Sequence, residues 1–283
     1  RWPRTTRCCS PPHHDAFGWG QPSAHGWCPG RGARRLDFET ALMNLMNRIG
    51  AVVTHELGDI FVYASWGRLN ETPEEIARRA SRFMEEFSSR VSVGRWRPTQ
   101  QEEGEWDGTE AGLAGFIGNR IMRKDDGENA PEGGYHFLLE TENDLLETLF
   151  TVTAGQSKIL EPVYSPSFYQ QFGWVPFPDP DQPPRVSADF LWEASIRAVI
   201  PAFDPNFAVG QELDVIMEQE PEGWLLPIGY RVWINERVGG VRACAEGLTV
   251  ERLGNGTLIR VPDSWPAERV IETLTETFRS NDL

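Results

Sequence analysis

The sequence predicts an α+β fold: mainly antiparallel sheets with helices packed on one face, open to division into two similar-sized halves. Three observations lead there. Short alternating strands are followed by amphipathic helices in each half of the chain. The C-terminal third is rich in strands and carries a Gly-Asn-Gly turn. A chain of 283 residues, 40% hydrophobic and 24% charged, has the composition of a globular protein with a real core.

Residues 1–36 stand apart. They hold six Arg against one acid, Asp15, a balance of +5, whereas the remaining 21 bases and 41 acids give −20. They also contain five Pro, five Gly and three of the four Cys, with no apolar run suited to a signal peptide. The reading is a disordered extension, or upstream sequence translated from an early start with Met43 as the natural one. Residues 37–283 then form the domain.

A helical stretch is expected around residues 37–48, and Ile60–Trp66 reads as a buried strand introduced by Gly58-Asp59. Thr72-Pro73-Glu74-Glu75 supplies an N-cap, a first-turn proline and a capping-box glutamate. Ile76, Ala77, Ala80, Phe83, Met84 and Phe87 then recur on one helical face, with Glu74–Arg78 and Glu75–Arg79 as i,i+4 pairs on the other. Residues 94–134 are polar and weakly patterned. A strand at Tyr135–Leu139 and a short helix over Asp144–Phe150 follow. Residues 162–187 hold seven prolines and read as irregular chain, a long connection or a sub-boundary.

Ala188–Ile200 is expected to be a helix ended by Pro201. Leu213, Val215 and Met217 alternate as a strand does, and Gly229–Asn235 alternates again. Leu248–Leu253 and Thr257–Val261 flank Gly254-Asn255-Gly256, the strongest hairpin signal in the chain. A last helix starts near Pro266 and buries Val270, Ile271, Leu274 and Phe278.

Familiar catalytic patterns are absent: no G-x-S-x-G, GxGxxG, Walker loop or zinc-protease helix occurs. His55-Glu56 lacks a second His four residues on, and His136 sits inside a strand as a structural residue. Cys8, Cys9, His13, His14, His25 and Cys28 offer zinc-ligand types without zinc-ligand spacing. Cys244 is the one cysteine after residue 36, so a disulfide scaffold is excluded there and an intracellular, cytoplasmic setting expected. No cofactor and no metal is expected. The acid clusters Asp125-Asp126, Asp179/Asp181 and Glu218/Glu220/Glu222 leave a hydrolase using a carboxylate pair, with or without a divalent metal, as the alternative function.

The charge points to a partner. A net charge of −15 disfavours nucleic acid as ligand and favours a cationic protein. No stretch approaches the ~20 apolar residues a membrane-spanning helix requires. Glu102, Glu103, Glu105, Trp106, Asp107 and Glu110, with Asp125 and Asp126, concentrate carboxylates and an aromatic anchor in loop-like sequence, and form the candidate partner-binding surface. Trp96 is a second candidate for exposure, whereas Trp66, Trp192 and Trp233 read as core.

One passage is recognisable. Tyr63-Ala-Ser-Trp66-Gly67-Arg68-Leu-Asn-Glu71-Thr72-Pro-Glu-Glu75-Ile-Ala77-Arg78-Arg79 resembles the N-terminal signature of the immunity protein 52 family. Gly118-Asn119-Arg120 with Asp125-Asp126-Gly127 looks like that family's second block, and the Gly254–Gly256 hairpin with the helix after Trp265-Pro266 like its end. Leu69 stands where the family tends to place Arg, and Ile76 where it tends to place Cys. The resemblance implies a non-enzymatic α+β antitoxin of a bacterial polymorphic-toxin system, such as one delivered by type VI secretion. Its implied partner is a toxin with a restriction-endonuclease-like nuclease domain. The family has no catalytic residues to carry over.

Overall fold

The computed structural model describes residues 60–99, 106–123, 127–142, 146–157, 166–173, 187–219 and 226–283. The readings for residues 1–36 and 37–48, and for Asp179/Asp181, lie outside these residues. Nine strands form one antiparallel sheet in the order β2-β3-β4-β5-β1-β6-β7-β9-β8. The strands are β1 (Ile60–Ser65), β2 (Arg95–Pro98), β3 (Tyr135–Glu142), β4 (Glu147–Ala154), β5 (Ser167–Gly173), β6 (Phe207–Glu212), β7 (Arg231–Asn235), β8 (Thr249–Leu253) and β9 (Gly256–Arg260). The helices are α1 (Pro73–Ser88), α2 (Glu110–Gly118), α3 (Ala188–Phe203), α4 (Leu213–Glu218) and α5 (Ala267–Ser280). The fold is α+β, and a single sheet joins both halves of the sequence.

Strand alternation sorts the side chains onto two faces. Val62, Phe137, Phe150, Phe168, Phe172, Trp233 and Leu258 share the first. α1 lays Phe83 and Phe87 onto it, with Phe83 centred 4.6 Å from Phe168 and 5.2 Å from Phe150. α3 continues the cover: Phe203 stacks on Trp66 at 4.8 Å, and Trp192 fits over Gly210, where a Cβ would lie 2.5 Å from the indole. On the opposite face Val232, Ile234 and Ile259 are buried with Val270, Leu274 and Phe278 of α5 in the same core cluster.

The capping box of α1 is present in full, Thr72 Oγ1 accepting from Glu75 N–H and Glu75 Oε2 from Thr72 N–H. The turn between β8 and β9 consists of Gly254 and Asn255, with φ +60 at Gly254, the position glycine serves in a II′ turn.

Several readings are corrected. The helix expected over Asp144–Phe150 is absent from its described part: from Glu147 the chain is β4, whose Thr and Val residues pair with β3 on one side and β5 on the other. The Leu spacing fitted both periods, and the β-branched run decides. Leu213–Met217 lies in helix α4, with Val215 and Ile216 buried side by side and Met217 68% exposed, which no strand alternation allows. The proline-rich segment contains β5, a strand in the middle of the sheet; Pro166 and Pro176 bracket it and no proline falls inside it. Within 94–134 lie β2 and α2. α3 runs through Pro201 to Phe203 and ends at Asp204, whose φ of 45 is left-handed. Ile271 is half-buried rather than buried.

Candidate functional site

Of the candidate partner-binding residues, Glu102, Glu103, Glu105, Asp125 and Asp126 lie outside the described residues. Trp106, Asp107 and Glu110 lie within them and build the start of α2. Thr109 is the N-cap, its Oγ1 accepting from Gly112 N–H at 2.9 Å. Asp107 Oδ1 accepts from Thr109 N–H and Oγ1–H at 2.9 and 2.7 Å, and these bonds hold its carboxyl below the usual range. The half-buried Trp106 donates Nε1–H to Thr109 O at 2.7 Å. Asp107 and Glu110 remain exposed, and Glu110 Oε1 lies 3.8 Å from Arg78 Nε.

Trp96 is a correction. It is 8% exposed and packs against Phe83, Phe87 and Phe150, donating Nε1–H to Ser88 Oγ at 3.1 Å. Its place on β2 next to β3 turns it inward, which the polar neighbours in sequence concealed. Trp66, Trp192 and Trp233 are core, as expected. His136 stands on β3 with Nδ1 3.0 Å from Thr153 Oγ1, in the structural role expected of it.

The signature passage folds into a buried ionic knot. Glu71, its side chain shut off from solvent, accepts Trp66 Nε1–H at 3.0 Å through Oε2; its Oε1 lies 3.2 Å from Arg79 Nε and 3.9 Å from Arg68 Nε. Arg79 also donates to Phe203 O at 3.1 Å, tying the β1–α1 loop to the end of α3. Arg68 reaches Glu75 at 2.8 Å. The helix therefore does not use the i,i+4 pairs expected of it: Arg78 lies against the exposed Glu110, and Arg79 turns to Glu71, whose buried carboxylate binds a guanidinium more strongly than a solvated neighbour does. Burial lowers the Arg79 basicity and the Glu71 charge draws it back up.

A second network, not singled out in the sequence, joins α3 to β7, β9 and β8. Arg231, its side chain 5% exposed, pairs with Asp189 and Asp263; Arg260 pairs with Glu193 and Glu251; Arg197 reaches both of those glutamates at 3.1 and 3.0 Å. Burial pushes the Glu193 carboxyl up, but the hydrogen bonds and charges of Arg260 and Arg197 together outweigh it and hold the group below its usual range. The one signal in the sequence was the i,i+4 spacing of Glu193 and Arg197; the rest is assembled by strand pairing. These carboxylates are neutralised by arginines.

Among the described residues, no group of three or more His, Cys, Asp or Glu side chains could hold a metal ion. No described helix is long and apolar enough to cross a membrane.

No protein-family model matches the sequence, so the resemblance to the immunity protein 52 family rests on the motif residues themselves. No curated protein matches it either. Among solved structures, the chain is similar to the Pseudomonas aeruginosa T6SS protein PA0821, at 10% identity and a TM-score of 0.39, over 71% of this chain and 64% of that one. A likeness at this level carries nothing over to the present chain.

Proposed function

We propose that this chain is an immunity protein that binds and neutralises a cognate bacterial toxin in the cytoplasm, the toxin being a basic nuclease with a restriction-endonuclease-like domain. The observation that carries this reading is the division of charge. Residues 37–283 hold 20 more acids than bases, while ten arginines of the described residues (Arg68, Arg78, Arg79, Arg90, Arg97, Arg197, Arg231, Arg237, Arg252 and Arg260) are engaged with carboxylates of the chain itself. Exposed Glu74, Glu85, Glu147, Glu246, Glu268, Glu272 and Glu276 add acidic charge at the surface, beside exposed Arg82, Arg95, Arg242, Arg269 and Arg279. A nuclease presents a cationic cleft shaped for phosphates, and an acidic surface with an aromatic anchor complements it. The resemblance of the Tyr63–Arg79 passage supports the same assignment.

The docking surface proposed is the 102–110 stretch with Asp125 and Asp126. The test is surface-capture kinetics against a nuclease domain sought in the neighbouring reading frame, at low and high ionic strength, with a nuclease assay in parallel. Glu102, Glu103 and Glu105 changed together to Lys should slow association far more than they speed dissociation, because rim charges steer encounter. An unchanged, salt-insensitive association rate would remove this surface from the proposal. A wild-type chain that neither binds nor inhibits the nuclease would remove the function.

A further inference from the structure

The sheet ends on β2 at one edge and β8 at the other. A strand edge is a row of unpaired N–H and C=O groups, and chains blunt it with prolines, unmatched charges or a covering segment. β2 ends on Pro98, which has no N–H to offer. β8 contains neither proline nor glycine. Its Thr249, Val250 and Arg252 are exposed, Val250 at 52%, so this edge stands in solvent.

The hairpin register fixes which backbone groups are open. The turn between β8 and β9 has two residues, so Leu253 and Gly256 close the ladder. Bonded pairs alternate from there, Glu251 with Leu258 and Thr249 with Arg260. The far side of β9 agrees in phase, Val261 N–H donating to Tyr230 O at 2.9 Å just ahead of β7. Val250 and Arg252 therefore turn N–H and C=O outward, and no described backbone group meets them there. The charges of β8 do not guard the edge. Glu251 is bonded by Arg197 and Arg260 on the α3 side, and Arg252 pairs with Glu236 on the opposite face.

The strand is also complementary to itself. Against an antiparallel copy, only outward-turned residues can exchange backbone bonds, which restricts a two-fold axis to Val250, Glu251 or Arg252. An axis at Glu251 or Arg252 sets like charges directly opposite, which is unfavourable. An axis at Val250 sets valine on valine, Thr249 opposite Glu251 and Leu248 opposite Arg252, and no like charges meet. Val250 then exchanges both backbone bonds with its twin, and Arg252 N–H faces the Leu248 carbonyl of the other copy. The occupant this edge itself specifies is a second copy of the chain.

We propose that the chain self-associates through this edge, β8 pairing antiparallel with β8 of a second copy about a two-fold axis at Val250 and continuing one sheet across both. This stands independently of the toxin-binding reading. An edge of five residues makes a small contact, so the dimer is weak and reversible. Both copies are acidic, so it tightens as salt screens their long-range repulsion.

Sedimentation velocity of the full chain, under reducing conditions and from micromolar to near-millimolar concentration, should show a reversible dimer at physiological salt. A monomer throughout would overturn the proposal. Amide exchange locates the contact: the N–H groups of Val250 and Arg252 should exchange several-fold more slowly at the highest concentration than at the lowest. A dimer that leaves both amides unchanged uses another surface and overturns it. In a mixture of isotope-labelled and unlabelled chains, the Val250 methyls of one copy should show cross-peaks to those of the other; cross-peaks to Arg252 alone would overturn the axis. Val250→Pro removes an outward N–H that the β8–β9 ladder does not use. It should abolish the dimer at an unchanged melting temperature of the dilute chain, and a persisting dimer would overturn the proposal. If Val250→Pro lowers that melting temperature, the amide exchange of the native chain decides.

Discussion

At the scale of single residues, the two ionic groups differ in what they tolerate. Glu71 is enclosed, so removing it leaves Arg79, whose side chain is 16% exposed, without its buried counter-charge. Glu71→Ala should therefore destabilise by about 3 kcal/mol, the cost of breaking a buried pair from one side, measured by urea denaturation. Trp66→Phe should cost less, since it deletes one hydrogen bond and keeps the ring against Phe203. Glu193 gives a pH signature. Its carboxyl titrates lower in the folded chain than in the unfolded one, so the unfolded chain binds the proton first and stability falls with acid. That loss begins near the ordinary glutamate value of about 4 and is complete below the depressed folded value. Melting temperature against pH should be steeper below about pH 4 for the native chain than for Glu193→Gln, and the two curves should run parallel at neutral pH.

At the scale of elements, what the sequence disclosed depended on whether the signal was local. The capping box of α1 and the Gly254-Asn255 turn are decided by neighbours a few residues away, and both were legible. β4 and β5 were not. The Leu spacing of 145–150 suits a helix, and only pairing with flanking strands makes Thr148, Val152 and Thr153 decisive. In β5 the prolines on either side drew attention from the proline-free heptapeptide between them. The candidate site divides in the same way. Trp106 and Asp107 are where loop-like sequence suggested, but they brace Thr109, the N-cap of α2, a role visible only once Thr109 is known to begin a helix. The networks around Glu71 and Arg231 join charged partners as much as 67 apart in sequence and left almost no local trace. On α5, Glu268, Glu272 and Glu276 are exposed and four residues apart, so like charges face one another. Glu272→Lys turns two repulsions into attractions and should raise stability by about 0.5–1 kcal/mol at low salt, read from thermal melts.

At the scale of the whole molecule, a net charge of −15 opposes compaction. The engaged arginines stabilise locally over a few ångströms, whereas the excess acids repel one another over longer distances. Salt discriminates between the two ranges: the screening length falls from about 30 Å at 0.01 M to about 8 Å at 0.15 M, long enough to spare close pairs and suppress the rest. Melting temperature should therefore rise between these ionic strengths. A fall would mean that the paired arginines, not the excess acids, dominate the electrostatics.

The position of β1 governs when the sheet of this protein can close. It is the earliest strand of the described chain, and it pairs with β5 and β6, whose first residues are Ser167 and Phe207. At a ribosomal speed of roughly 5–20 residues per second, β1 waits about 5–20 s for its first partner and longer for its second. During that interval the β3–β4 hairpin can close, but the central seam cannot. A chain built this way has a built-in latency between translation of its first described strand and closure of the sheet around it.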